Sequence, residues 1–230
     1  MSLNHEKTYV VTYTRKVLWT RFSYHIGGNK IARKEEITDL GVIFDSKLLF
    51  KSHIKAITSK ARRSLGLVLW VGRDFSSTTV VHLFKSIVRP VLEYCSVVWN
   101  LARGYTDDML EAVQGRLLSA LRHRSYQDVD CDTLCTAYRL QSLKSRRLCQ
   151  DVLLVHKIIH GDLDLDSSEV YYRIPHASFR SFRLLACKRK SVISPLARCI
   201  EQVNSNECLD IFRHREGRKV SKSILGSGAV

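Results

Sequence analysis

No run of about 18 uncharged apolar residues, the length a membrane-spanning helix needs, occurs in the 230-residue chain. The opening MSLNHEKTYVV carries charge early and has no apolar core, so no secretory leader is expected. Paired-cysteine spacing is missing as well. The seven cysteines (Cys95, Cys131, Cys135, Cys149, Cys187, Cys199 and Cys208) are scattered and odd in number. They are poor material for a disulfide framework and fit reduced thiols in a cytoplasmic or nuclear, intracellular protein. There is no internal repeat and no low-complexity tract. Catalytic groups are nearly absent too. The nine histidines are dispersed, with no Ser/His/Asp pattern, and Gly27-Gly28 is too short for a phosphate loop.

Basic charge is abundant. Lys and Arg number 37 against 22 acids, a net charge of +15, and the pI is near 9.7. Such a surplus attracts polyanions, through release of counterions from phosphates or docking on anionic lipid. It is uneven: residues 171–230 hold 12 basic and 4 acidic residues, while the first 170 hold 25 and 18. The tail therefore reads as an interaction arm, its plainer reading being a solvated segment with no partner. The hydrophobic fraction of 45% is ordinary, so a core is expected.

The pattern along the chain predicts an α+β protein, mainly α: a small N-terminal antiparallel β unit, a helical bundle and a basic tail. Residues 9–13 and 22–26 are β-branched and aromatic, which suits strands. Gly27-Gly28-Asn29 predicts a hairpin turn, and Leu40–Phe44 is a further apolar run. Residues 1–50 are thus a β unit too small to bury a core of its own. Residues 51–161 are expected to be helical. Ile54, Ile57, Ala61, Leu65 and Val68 mark one buried face, and Val80, Phe84, Ile87, Val91, Cys95 and Val98 mark the next, with a kink at Pro90. Leu110, Val113, Leu117 and Leu121 give a third helix with Thr106 as its N-cap, a shorter one spans Thr133–Leu140, and Leu148, Val152, Val155 and Ile159 give a last one ended by Gly161. Residues 162–230 form a basic, partly irregular C-terminal region with one clear helix near Leu196–Val203.

Two patterns imitate metal sites. Tyr105-Thr106-Asp107-Asp108 has the look of a polymerase carboxylate box, which needs a tight turn between two strands to seat two metals. Here it opens an amphipathic helix, where acids simply favour the helix dipole. Cys131 and Cys135 lie one turn apart with no second pair to complete a zinc site. No catalytic or metal-binding residue is therefore assigned. Basic clusters are the stronger signal: Arg122, His123 and Arg124; Lys144, Arg146 and Arg147; Lys188, Arg189 and Lys190; and a last group from Arg213 to Lys222. Each alone is weakly specific, but together they suggest several phosphate contacts, each of which would steepen the salt dependence of binding. Trp19, Trp70 and Trp99 are candidates for base stacking, with Trp99 better placed for a core.

A string of motifs in fixed order goes further. It runs from Leu3-Asn4-His5-Glu6-Lys7-Thr8 and VVTYTRK through Tyr24-His25-Ile26 and Ile31-Ala32-Arg33 to Asp39–Leu48 (DLGVIFDSKL) and His53-Ile54. It continues with Leu65-Gly66, Arg73-Asp74-Phe75, Val88–Tyr94 (VRPVLEY), Val97–Asn100, Ala112-Val113-Gln114, Leu140–Leu143 with Arg146-Arg147, and Leu209–Phe212. This order resembles the part of non-LTR retrotransposon reverse transcriptases, jockey-like elements above all, that follows the catalytic palm. Departures occur at Gly115 and Leu118, where such sequences carry a bulky aromatic after the glutamine, and after about Asn206.

The resemblance implies an RNA-directed DNA polymerase thumb that binds template–primer duplex, RNA or DNA, through phosphates and without sequence preference. Lys7 matches the motif D lysine, a general acid in related polymerases, but has no palm here to serve. Asp39, Leu40, Gly41 and Val42 match the primer grip, and Arg122, Arg124, Lys144, Arg146, Arg147, Lys188, Arg189 and Lys190 are the expected phosphate contacts. With the palm aspartates expected upstream of Met1, the chain is expected to be catalytically silent alone and to need no cofactor, magnesium serving only the intact parent. A palm-bearing chain, or self-association through Val10, Tyr13, Val42 and Phe44, stays open as a further partner; a membrane is not expected. The alternative reading is a domesticated or decaying transposon fragment, acting as an interaction protein or without function.

Overall fold

Residues 8–14, 16, 20, 22–100, 104–125, 129–159, 162–163, 171–173 and 185–187 are described by the computed structural model. The chain divides into two compact units, residues 1–60 and 61–230. It is mainly helical, with short strands concentrated near the N-terminus.

In the first unit the strands are short because turn residues interrupt them every few positions. Strand β1 (Tyr9–Val10) pairs in parallel with β4 (Ala32–Arg33). Strands β2 (His25–Ile26) and β3 (Asn29–Lys30) form an antiparallel hairpin with His25 opposite Lys30. Gly27 and Gly28 fill its two-residue turn at φ 57° and 82°, the paired positive values that match the strand twist. A second hairpin joins β5 (Glu36–Asp39) to β6 (Val42–Asp45). The apolar run expected over Leu40–Phe44 is therefore split. Leu40 and Gly41 form another two-residue turn, at φ 45° and 82°, and only Val42 onward is strand. Val42 is buried, and Phe44 meets Phe50 edge-on at a centroid distance of 5.5 Å. Of the four residues expected on a self-association face, Val42 is buried, Val10 and Phe44 are half-buried and Tyr13 is exposed.

Helix α1 (Lys51–Val71) begins in the first unit, where Ile54 is buried, and continues in the second with Ala61, Leu65 and Val68 buried. A 3-10 turn (Gly72–Asp74) follows. A Cβ on Gly72 would sit 2.7 Å from Val80 Cγ2, so only glycine permits this approach. Ser76 then caps α2 (Ser77–Leu83), its hydroxyl accepting from Thr79 N.

The expected kink at Pro90 takes a particular form. A π turn (Phe84–Val88) precedes α3 (Arg89–Glu93), which carries Pro90 in its first turn. Proline has no N–H to donate and its ring crowds the carbonyl four residues back; a wider turn accommodates both. The extra residue rotates everything after it. Phe84 is buried as expected, and Val88, Leu92, Ser96 and Trp99 are buried one position later at each step than the sequence spacing implies. Ile87, Cys95 and Val98, expected inside, are exposed. Cys95 adopts a left-handed φ of 54° where the helix breaks before α4 (Ser96–Trp99).

Helix α5 (Gly104–Ser125) buries Leu110, Val113, Leu117 and Leu121 as expected. It starts before Thr106, so Thr106 is a buried first-turn residue and not the N-cap. Helix α6 (Cys131–Ala137) starts ahead of Thr133, and α7 (Leu143–Ile159) ahead of Leu148. Leu143 and Val152 are buried on α7 and Leu148 is half-buried; Gly161 and the side chains of Val155 and Ile159 lie outside the described residues. Strands β7 (Tyr171–Arg173) and β8 (Leu185–Cys187) pair antiparallel, unforeseen in a region expected to be irregular. The helix expected at Leu196–Val203 and the last basic group fall outside the described residues. Among those described, no helix is long and apolar enough to cross a membrane.

Candidate nucleic-acid interface

The hairpin tip carries Asp39, Leu40, Gly41 and Val42 in register, Asp39 facing Val42 across the turn. Val42 anchors it inward. Leu40 is 83% exposed, a large apolar side chain in the turn of the hairpin, on a backbone conformation that branched and bulky residues rarely adopt. Two polar side chains fix the hairpin's base. The Asp45 carboxylate accepts from the backbone N–H groups of Lys47 at 3.0 Å, Leu49 at 2.9 Å and Phe50 at 2.6 Å. It thereby holds a loop in which Leu48 and Phe50 are both left-handed. His53, buried on the first turn of α1, accepts at Nδ1 from Ile43 N at 3.3 Å. That bond needs the neutral imidazole, and burial holds the His53 pKa below its ordinary 6.5.

The expected basic contacts divide into inward and outward groups. Arg124 points inward: its guanidinium donates to Gly72 O at 2.7 Å and Phe75 O at 3.4 Å, closing the C-terminal end of the 3-10 turn. Arg146 forks onto both oxygens of Glu93, with Nη2 at 3.0 Å, and hydrogen bonding to this carboxylate raises its pKa. Arg147 is wholly buried. Its Nη2 donates to Asp107 Oδ1 at 2.5 Å and its Nε to Asn100 Oδ1 at 3.3 Å, while Asn100 donates to Asp151 Oδ2 at 3.1 Å. These three guanidiniums hold the helical unit together. Arg122 is exposed on the last turn of α5, and Lys144 is exposed with Nζ 3.5 Å from Asp107 Oδ2. Lys7, Lys188, Arg189 and Lys190 lie outside the described residues.

Asp107 and Asp108 do not share a site: Asp107 faces Arg147 and Lys144, whereas Asp108 is exposed. Cys131 is exposed and Cys135 half-buried, with its thiol pKa raised by burial first and by Asp132 next. Among the described residues no group of three His, Cys, Asp or Glu side chains is placed to hold a metal. Trp99 is buried and donates Nε1 to Tyr94 O at 2.8 Å, whereas Trp70 is 64% exposed at the end of α1. Trp19 lies outside the described residues.

Sequence reasoning missed Asp45, His53 and the Asp107–Arg147 pair, because a buried polar group leaves no periodic mark. Lys85 and Arg139, isolated in the sequence, were not singled out, and Arg89 entered only as part of the Val88–Tyr94 run. The spacing of Lys85 and Arg89, one helical turn apart, was the signal available.

No family model matches the chain, and no solved structure matches it. Among curated proteins it is similar to the RNA-directed DNA polymerase from mobile element jockey of Drosophila funebris, 24% identical over 188 residues. That alignment covers 79% of this chain and 19% of the relative, so the chain spans about a fifth of that protein's length.

Proposed function

We propose that these residues form the post-palm portion, primer-grip hairpin and helical thumb, of a jockey-like non-LTR retrotransposon reverse transcriptase. On this reading the chain holds template–primer duplex by its phosphates and leaves polymerisation to a palm. The observation that carries the reading is the similarity to the jockey polymerase over most of this chain. The Asp39–Val42 hairpin supports it by exposing Leu40 in its turn. The helical unit supports it by offering Arg122 and Lys144 to solvent. Asp107 and Asp108, which imitate a polymerase carboxylate box, face different surroundings, Asp107 toward Arg147 and Lys144 and Asp108 toward solvent. Magnesium belongs to the intact parent polymerase, and the chain works with a palm-bearing partner in a cytoplasmic or nuclear setting.

Fluorescence anisotropy with a labelled RNA–DNA duplex tests the reading. About five phosphate contacts give a log–log slope of affinity against salt near −4 on B-form DNA, with matched and mismatched duplexes bound alike. A slope near zero overturns the nucleic-acid reading. Primer extension with magnesium and nucleotides is expected to yield no product, and extension abolished by Asp107→Ala would show that the carboxylate box works after all.

A further inference from the structure

We propose that Lys85, Arg89, Arg139 and Arg146 form a phosphate-binding site for a nucleic-acid backbone on the helical unit. The proposal rests on the nucleic-acid reading above and adds where on this unit the phosphates sit.

The four cations come from four places in the chain, and two of them, Arg89 and Arg146, meet at one carboxylate. Lys85, in the π turn, donates its Nζ to Tyr138 O at 2.8 Å, which brings it beside the neighbouring Arg139 at the end of α6. Arg89 lies one turn after Lys85, with Nε 3.9 Å from Glu93 Oε1. Arg146, from α7, grips the same carboxylate with two nitrogens. Among the described residues Glu93 is the one acid paired with this group, and neither Lys85 nor Arg139 has a carboxylate within salt-bridge distance. The cations therefore repel one another. Burial lowers the Lys85 pKa, and Arg89, Arg146 and Arg139 lower it further in that order; burial and then Arg146 likewise lower that of Arg89. An anion seated among them relieves this repulsion. A phosphodiester fits the available donors, since guanidiniums fork onto phosphate oxygens and lysine adds a point charge.

The backbone at Arg139 gives a second, independent argument. Helix α6 ends in a Schellman turn: Leu140 N donates to Cys135 O at 2.8 Å and Arg139 N to Thr136 O at 3.2 Å, with Leu140 buried as the following apolar contact. The residue in Arg139's place must be left-handed, and its φ is 50°. Glycine is the usual occupant and bears no steric penalty there. The fold has no need of an arginine at this position, while its exposed side chain directly follows the Tyr138 carbonyl that Lys85 holds and its charge acts on Lys85.

That strain supplies a clean test in the full chain. Arg139→Gly removes the guanidinium and relaxes the backbone, so its Tm is expected to hold or rise by about 2–4 °C. Its salt slope for the labelled RNA–DNA duplex is expected to flatten by about one, and that of Lys85→Gln with Arg139→Gly by about two. If the unaltered chain binds with a steep slope and both variants keep it, the site is wrong and the thumb reading stands. If the unaltered chain shows no salt-dependent binding, both fall together. If the variants lose affinity for phosphatidylserine vesicles and none for the duplex, the cluster serves a lipid surface and the proposal is overturned.

Discussion

Residues 8–60 and the helices of residues 61–159 are ordered by different means. In the first unit the backbone geometry is set by turns and by polar side chains that accept backbone N–H groups. Asp45 takes three of them and His53 one, and the buried apolar set is small, with Val42, Phe50 and Ile54 at its centre. In the second unit long apolar faces do the work. Leu65, Val68, Val80, Phe84, Leu92, Trp99, Leu110, Leu117 and Leu121 are all essentially inaccessible, and each side chain of this size contributes about 1.5–3 kcal/mol by leaving water. The contrast teaches where each unit is vulnerable. The β unit depends on the protonation and geometry of a few groups. The helical unit tolerates surface change and is sensitive mainly where a charge has been carried into its interior.

The largest expected effect tests that interior charge. Asp107→Ala leaves Arg147 fully buried without its carboxylate, a change expected to destabilise the helical unit by about 3–5 kcal/mol. Urea unfolding followed by far-ultraviolet circular dichroism measures it. Lys144 cannot make good the loss, because it is a second cation that shares the same carboxylate. Replacing both partners, as Asp107→Ala with Arg147→Met, should recover most of the stability, since an apolar pair of similar volume avoids the desolvation penalty. A single variant as stable as the unaltered chain would remove the pair from the account of this unit.

A smaller effect belongs to the β unit and depends on pH. The folded pKa of His53 lies below its ordinary 6.5, so between those values the unfolded chain binds the proton and the folded chain does not. Stability from this site is therefore complete above about pH 6.5 and is lost as pH falls toward the lowered value. Protonation also turns Nδ1 into a donor facing the Ile43 N–H, at a cost of about 1–3 kcal/mol for the bond undone. Once corrected for the intrinsic pH trend, protection of the Ile43 amide from hydrogen exchange should fall on acidification while that of amides in α5 holds steady. Exchange at Ile43 that stays flat from pH 7.5 down to about 5, beyond the intrinsic pH trend, would separate His53 from the hairpin.

How legible each region was follows from the same contrast. Helical faces are repetitive, so Ala61, Leu65 and Val68 on α1 and all four residues expected on α5 were found from spacing alone. Periodicity failed at one place for a definite reason: the π turn before Pro90 adds a residue, and every later buried position shifts by one. Spacing also sees only apolar groups. Arg147 and Asp107 were therefore read as a surface cation and a helix-start acid, though both face inward. In the β unit the Gly27-Gly28 turn was readable because glycine signals positive φ, whereas Leu40 conceals an equivalent turn behind a residue that ordinarily avoids it.

Leu40 is where the smallest expected change is the most informative. A left-handed leucine costs about 1–2 kcal/mol relative to a residue without a Cβ, and with 83% exposure its side chain recovers little of that by burial. Leu40→Gly should therefore stabilise the second hairpin by at most about 1 kcal/mol, the gain being offset by the greater freedom of glycine in the unfolded chain. If the tip meets the primer end, as the resemblance to the primer grip implies, the same variant weakens duplex binding. The salt slope stays unchanged, because an apolar contact releases no counterions. The stability gain and the affinity loss thus come from one residue and are read separately, by thermal unfolding and by anisotropy. Arg139→Gly in the helical unit shares the expected rise in stability but flattens the slope, so the pair of variants separates an apolar contact from a phosphate contact. A Leu40→Gly chain that is no less stable and binds duplex as tightly as before would leave the strained leucine without a role at the tip.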